Sequence, residues 1–451
     1  MFSGLFTDKV FVRKLTQLTL PIALQSFMLA AVAAADSLML GSLEPAFMSA
    51  VSQATQVQFI QNMILSSVVS GCTILGAQYW GKGDKETVKA IFCMILRINL
   101  VISLIFFCLC EFAPYSLMTI LTDKPNLKEI GAEYLRISGW SYLITGISQC
   151  YLAIMKVSEH ADVSARISIL AVVLNIVLNA FLIFGLLFFD RMNHKGAALA
   201  TVVARAIELI LCIAFSFKKD YIRPSLKGLT RFYPHIIKDF VKCVVPVLTS
   251  SMLWSLGFAS YTAFMGHLDE AAAAANAVVA VVRDLVCCLC NGIAAAAGIM
   301  IGNELGAGKL ETGKLYGDRI MKLSFLCGFL STAVMFALIP ILMTFIKLDA
   351  LASKYLIQMM LIMAVYMIGR CVNTVVINGI FYSGGDIIFD TYSLLATMWC
   401  LAVPLAWIGT HYHWPVALVY ACTCIDEVGK IPWVIYHYKK YKWVKNLTRV
   451  D

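Results

Sequence analysis

The sequence predicts an all-α polytopic membrane protein, with twelve transmembrane helices arranged as two parallel-repeat six-helix lobes. Three observations predict it. Of the 451 residues, 60% are hydrophobic and only 14% charged, with a mean hydropathy of +0.80. That is too little charge to cover a soluble surface of this size. Apolar runs long enough to cross a bilayer recur along the whole chain. Finally, the second half repeats the first.

Twelve apolar segments lie near 15–40, 46–79, 88–112, 128–157, 162–189, 195–218, 236–266, 270–304, 312–346, 350–383, 387–410 and 414–438. Several exceed the minimum span and are expected to tilt, bend or protrude. The start, with Lys9, Arg13 and Lys14 before an apolar run, loosely resembles a signal peptide. The run is too long for that, and it has a counterpart in the interior. Cations mark one side of the membrane. They cluster before the first segment, at Lys82, Lys85 and Lys89, through Lys218–Lys242, at Lys309, Lys314 and Arg319, and in the tail from Lys439. The opposite loops "GSLEPAF" and "THYHWP" have none. The positive-inside rule therefore puts both termini in the cytoplasm, and the membrane expected is the plasma (cell inner) membrane. The net charge of +9 is mostly this bias, and nucleic acid is not expected as a partner.

Under a shift of 225 residues, Pro21 falls on Pro246, Gly41 on Gly266 and Glu44 on Asp269. "GAQYWGKGDKETVK" (76–89) then falls on "IGNELGAGKLETGK" (301–314), and the register holds to Ser158 on Ser383. A shift of 219 then places Ala198-Leu199 on Ala417-Leu418 and Glu208 on Glu427. The expected organisation is a lobe at 1–217, a basic cytoplasmic linker at 218–240 and a second lobe at 241–451. Six helices per half make the repeats parallel, an arrangement that commonly sets a substrate site between halves and alternates its access.

Catalytic and cofactor chemistry find little support. The Gly-x-Gly turns follow helices and lack G-K-[ST], so they read as tight cytoplasmic turns and not phosphate loops. No Ser/His/Asp arrangement or H-E-x-x-H occurs, and no enzyme, cofactor or zinc site is expected. The fifteen cysteines sit mostly in apolar runs, where cysteine is a small hydrophobe. His411 and His413 beside Trp414 read as interfacial residues.

The polar residues inside the apolar segments are more informative. Asp36, in "MLAAVAAADSLMLG", is costly in lipid and lies about five residues before the outer end of the first helix. Asn175 and Asn179 are four apart on one face of the fifth helix, and Ser164 and Ser168 extend that stripe. On the sixth helix Thr201 sits at similar depth, followed on the same face by Arg205 and Glu208. A carboxylate, amides and a hydroxyl at one depth suit a proton or a sodium ion. Asp36, Asn175, Asn179 and Thr201 are therefore the candidate cation-coupling residues, with Arg205 and Glu208 as a candidate network. The alternative reading of Asp36 is a structural partner such as Arg97 or Arg205, and that of the asparagines is simple interhelical hydrogen bonding. Arg205/Glu208, and Asp426 and Glu427 with Lys430, also read as local ion pairs. Arg283, Asp284 and Arg370 have no assignable partner.

In the repeat, Asp36 matches Tyr261, Asn175 matches Cys400 and Asn179 matches Pro404. The polar cluster thus belongs to the first half. The second half offers Trp254, Tyr261, Asn373, Asn378 and Tyr382 instead. Trp254, Tyr261, Asn373 and Asn378, with Gln25 from the first half, are the candidate substrate-cavity residues, suited to bulky, partly apolar or cationic molecules.

"LTLPIALQSFMLAAVAAADSLMLG", "GAQYWGKGD", "NIVLNAFLIFG" and "GAALATVVARAIEL" resemble the multidrug and toxic compound extrusion (MATE) family over nearly the whole chain. The resemblance implies a V-shaped fold and export of small-molecule drugs or toxic metabolites in exchange for H+ or Na+. It also implies that the carboxylate at Asp36 couples transport to the cation, with Na+ there as the one metal expected, and that the chain acts as a monomer. Many relatives have aspartate where this chain has Asn179. The acids that one sodium-coupled branch carries in its seventh and tenth helices are missing from "TSSMLWSL" and "GRCVNTVV". A lipid-linked precursor flippase of the same superfamily is the alternative function.

Overall fold

The computed structural model describes residues 8–41, 45–185, 190–231, 233–346 and 348–449. Within its helices, the side chains of 33–38, 40, 41, 45 and 226 also lie outside the description, and Asp36 is among them. The first six long helices are α1 (Lys9–Gly41), α2 (Pro45–Lys82), α3 (Lys85–Phe112), α4 (Pro125–Val157), α5 (Ala161–Phe184) and α6 (Asn193–Ser216). The second half continues with α7 (Pro234–Leu268), α8 (Glu270–Gly306), α9 (Leu310–Phe345), α10 (Ala350–Phe381) and α11 (Ile388–His411). The final run, α12, comprises Val416–Val428 and Ile431–Tyr438.

Ten helices among the described residues are long and apolar enough to cross a membrane. The two exceptions have visible causes. Serine, glycine, tyrosine and glutamine run through the middle of α4, and α12 is interrupted at Gly429-Lys430. The chain is a multi-pass, all-helical membrane protein.

Helix starts reproduce the sequence repeat. Lys9, Pro45, Lys85 and Pro125 open helices in the first half, and Pro234, Glu270, Leu310 and Ala350 open their counterparts 225 residues on. Aspartate caps set two of them, one in each half but not at equivalent positions. Asp84 accepts from the Thr87 amide at 3.0 Å before α3, and Asp269 accepts from the Ala271 amide at 3.3 Å before α8. The halves differ in backbone where α10 and α11 widen to π-helical turns at Thr374–Phe381 and Leu395–Ala402. Such turns locally break the regular i→i−4 ladder.

Two compact units form. One contains Gln25–Gly76 and Asp84–Val241; the other contains the described residues up to Leu24, Ala77–Gly83 and the chain from Lys242 on. The boundary near Val241 falls next to the basic linker, while α1 and α2 are each shared between units.

In the second of these units the four glycines of the Gly-x-Gly turns divide into two jobs. Gly83 and Gly308 adopt φ of +84° and +76° and make the turns. Gly81 and Gly306 are helical, and sequence reasoning misses their role as a crossing point. A Cβ on Gly81 would lie 1.9 Å from the Asn303 carbonyl oxygen, and one on Gly306 would lie 1.8 Å from that of Gln78. Gln78 and Asn303 are themselves 225 apart, so the contact between the end of α2 and α8 is a pseudo-two-fold one. The tail completes this region. Gln78 Nε2 donates to the Ser383 carbonyl at 2.7 Å and the Lys445 carbonyl at 3.1 Å, and its Oε1 accepts from the Leu447 amide at 2.6 Å. Trp443 is fully buried over Gly317, and Tyr438 and Tyr441 both donate to Asp318. Nearby, Arg319 holds Asp8 at 2.8 Å and, with backbone amides, keeps its carboxyl below the ordinary aspartate pKa.

Candidate functional site

The unit built on Gln25–Gly76 and Asp84–Val241 contains a partly open cavity of about 550 Å³. Helical spacing determines what faces it. Gln58 and Asn62 are four apart on α2, Thr145 and Gln149 four apart on α4, and Thr201 and Arg205 four apart on α6; Ser52, Thr55, Ser66, Tyr134 and Asn175 are also in the polar lining. Leu29, Val32 and Val51 supply apolar wall.

Three of the four candidate coupling residues are joined here. Asn179 Nδ2 donates to Asn175 Oδ1 at 3.3 Å, Asn175 Nδ2 donates to Thr201 Oγ1 at 3.2 Å, and Thr201 donates to the Ala197 carbonyl at 3.0 Å. Asn179 lies fully buried behind Asn175. The fourth, Asp36, lies on α1, but its side chain falls outside the described residues. Arg205 reaches the cavity and donates to Glu208 at 2.8 Å, the local pair expected. Glu208 is fully buried and takes a second hydrogen bond from Ser148 at 2.7 Å. Gln25 is tied to Ser168 at 2.7 Å. Tyr134, Thr145, Gln149, Gln58 and Asn62 escaped sequence reasoning. The i, i+4 pairing of the glutamines with Asn62 and Thr145 was the available signal, diluted by the other polar residues of α2 and α4.

The other unit gathers Trp254, Tyr261 and Asn373 around two acids of α12. Asn373 Nδ2 donates to Glu427 at 2.6 Å, and Arg370 NH1 donates to it at 2.9 Å. The Arg370 guanidinium lies over the Trp254 ring at 5.3 Å, and Tyr261 points at Asp426, 3.5 Å away. This corrects the local pairing expected for Asp426 and Glu427 with Lys430. Glu427 instead pairs across helices with Arg370, the helix breaking just before Lys430. Arg283 pairs with its neighbour Asp284 at 2.8 Å. Asn378 is exposed on the widened part of α10, and Tyr382 donates to Asp390 at 2.7 Å. Gln25 therefore belongs to one unit, and Trp254, Tyr261 and Asn373 to the other. No cluster of three or more His, Cys, Asp or Glu able to hold a metal occurs among the described residues.

The model of the MatE family matches residues 21–181 and again 246–408, once on each half of the repeat. The chain belongs to the MatE family. This MatE chain is 23% identical to the uncharacterized transporter YisQ of Bacillus subtilis, over 97% of its own length and 96% of that protein's. It is 23% identical to the probable multidrug resistance protein NorM of Bacillus cereus, over 90% of each chain. Among solved structures it is similar to an outward-facing multidrug resistance MATE family transporter of the MOP superfamily, with a TM-score of 0.85, 19% identity and 96% of both chains covered. A MOP superfamily transporter from Pyrococcus furiosus gives a TM-score of 0.86 at 18% identity, again over 96% of both chains. Family and fold thus agree on a membrane transporter.

Proposed function

We propose that this MatE chain is a secondary active antiporter. It exports organic, often cationic and amphipathic compounds in exchange for H+ or Na+ by alternating access, with Asp36 as the coupling carboxylate. The observation that carries the reading is the cavity of mixed polar and apolar lining inside one helical unit, where Asn175 and Thr201 line the space and Asn179 joins them in one hydrogen-bonded line. Amides and hydroxyls of this kind also bond helices together, and what favours a transport site is that Asn175 and Thr201 border open space at the depth of the Asp36 carboxylate, which is the costly group in a membrane. The multidrug resistance names of the NorM relatives support the substrate class.

Binding of a proton or sodium ion at Asp36 neutralises a charge inside the first-half unit and favours a bend or shift of α1 that expels substrate. The driving force is the difference in cation affinity between the two orientations. The chain acts as a monomer in the cytoplasmic membrane with both termini inside, in keeping with the cation-rich loops. Substrate-driven proton and sodium flux in proteoliposomes tests the reading. Wild type should move one of these cations against substrate, and Asp36→Asn should abolish the coupling. Efflux by Asp36→Asn that still follows the cation gradient at the wild-type rate would remove Asp36 from this role.

A further inference from the structure

We propose that the unit containing α7–α12 holds a proton-exchanging carboxyl of its own at Asp426. The site is built from α7, α10 and α12. Asp426 is 1% exposed and Glu427 3%, yet the two neighbouring acids are held very differently. Glu427 is saturated by the Arg370 guanidinium, the Asn373 amide and the pairing geometry already described. Asp426 accepts the Glu427 backbone N–H at 2.7 Å through Oδ1 and meets the Tyr261 hydroxyl only at 3.5 Å through Oδ2. No cation lies within ion-pair distance of Asp426 among the described residues. Burying an unpaired carboxylate costs several kcal/mol, and a proton on the carboxyl removes that cost.

Independent groups mark the place as one prepared for an exchangeable species. The Tyr366 hydroxyl, 2% exposed, has no hydrogen-bond partner and feels Asp426 and Glu427 most strongly among its electrostatic neighbours. Asn373 turns its amide nitrogen to Glu427 and leaves Oδ1 without a partner, and Trp254 Nε1 is likewise unmatched. Each such buried polar atom is costly unless something fills it part of the time. The charged and titratable groups around Asp426 are Tyr261 on α7, Arg283 on α8, Tyr366 and Arg370 on α10, and Cys424, Glu427 and Lys430 on α12. Glu427 with Arg370 forms the fixed pair. Asp426 meets the Tyr261 hydroxyl, and Lys430 is buried in the interruption of α12. Gaining or losing one proton there changes the unit's internal charge by one, without breaking the Arg370 pair.

This rests on the antiporter reading for its role, as a second proton-binding step beside Asp36, but its existence is testable without transport. Infrared difference spectra of the reconstituted protein, recorded across a pH titration, report a protonated carboxyl by its C=O stretch. Wild type should show a band that titrates away with rising pH. Asp426→Asn should remove it, and Glu427→Gln should keep it. Tyr261→Phe should leave the band present but move its midpoint, which covers the case in which Asp426→Asn fails to fold. A wild-type band unchanged in Asp426→Asn, or a midpoint unmoved in Tyr261→Phe, overturns the assignment. Flux then separates the two proposals. A titrating Asp426 with no coupled flux refutes the antiporter alone, and coupled flux with no Asp426 band refutes this site alone.

Discussion

Glu208 and Glu427 occupy equivalent positions in the repeat, and their surroundings differ in an instructive way. Ser148 and Asn373, themselves 225 apart, each donate to the equivalent acid, at 2.7 Å and 2.6 Å. The guanidinium arrives by different routes. Arg205 comes from one turn earlier on the same helix, whereas Arg370 crosses from α10, at the position where the first half has Thr145. Where the arginine stands in the first half the second has Cys424, and Ile207 is replaced by Asp426. The first unit keeps a cavity bounded by amides and hydroxyls. The second places Phe258 in ring contact with both Trp254 and Tyr261. A duplicated acid position has thus been kept as an anchor while the space around it was hollowed in one half and filled with aromatics in the other.

The largest effect should come from breaking the cross-helix pair. Arg370→Ala leaves a buried Glu427 charge and is expected to cost about 3–5 kcal/mol, read as a fall in thermal unfolding midpoint of the detergent-solubilised protein. Removing Glu208 in the first half, as Glu208→Ala, should cost less, ~1.5–3 kcal/mol, because the orphaned Arg205 borders a cavity that water can enter. Equal losses in the two variants would refute the claim that the halves are built differently here. The α2–α8 crossing makes the opposite demand. Gly81→Ala and Gly306→Ala each force a methyl into a backbone carbonyl, so both should destabilise by about 1–3 kcal/mol, and by similar amounts. A clear difference between them would show the crossing to be less symmetric than its coordinates. The smallest effect concerns Asp8, whose repeat position is Tyr233. The Asp8 pKa is lower folded than unfolded, so its contribution is present above the unfolded value and is lost as pH falls through the folded one. Asp8→Asn should therefore flatten part of the acid limb of unfolding midpoint against pH and leave the neutral limb parallel to wild type.

Periodicity and repeat made the helices legible before the structure, because bilayer length and the 3.6-residue face are properties of single segments. Asn175, Asn179 and Thr201 were legible for the same reason, since depth can be counted along each helix from its end. The Arg370–Glu427 pair was not. Its partners sit 57 residues apart on separate helices, and nothing local to "GRCVN" or "IDEVGK" says which acid meets which base. The widened turns of α10 and α11 and the Gln78 contacts with the tail were hidden likewise, since each depends on packing between remote segments.

The division of α1 and α2 between the two units has a consequence for how the protein is made. Residues up to Leu24 and the stretch Ala77–Gly83 leave the ribosome early, yet the unit they complete is otherwise encoded from Lys242 onward. During synthesis these two pieces lack the rest of their own unit until the second half has been made. A ribosome halted in the basic linker would hold a first half whose own unit can close while its two borrowed ends stay open.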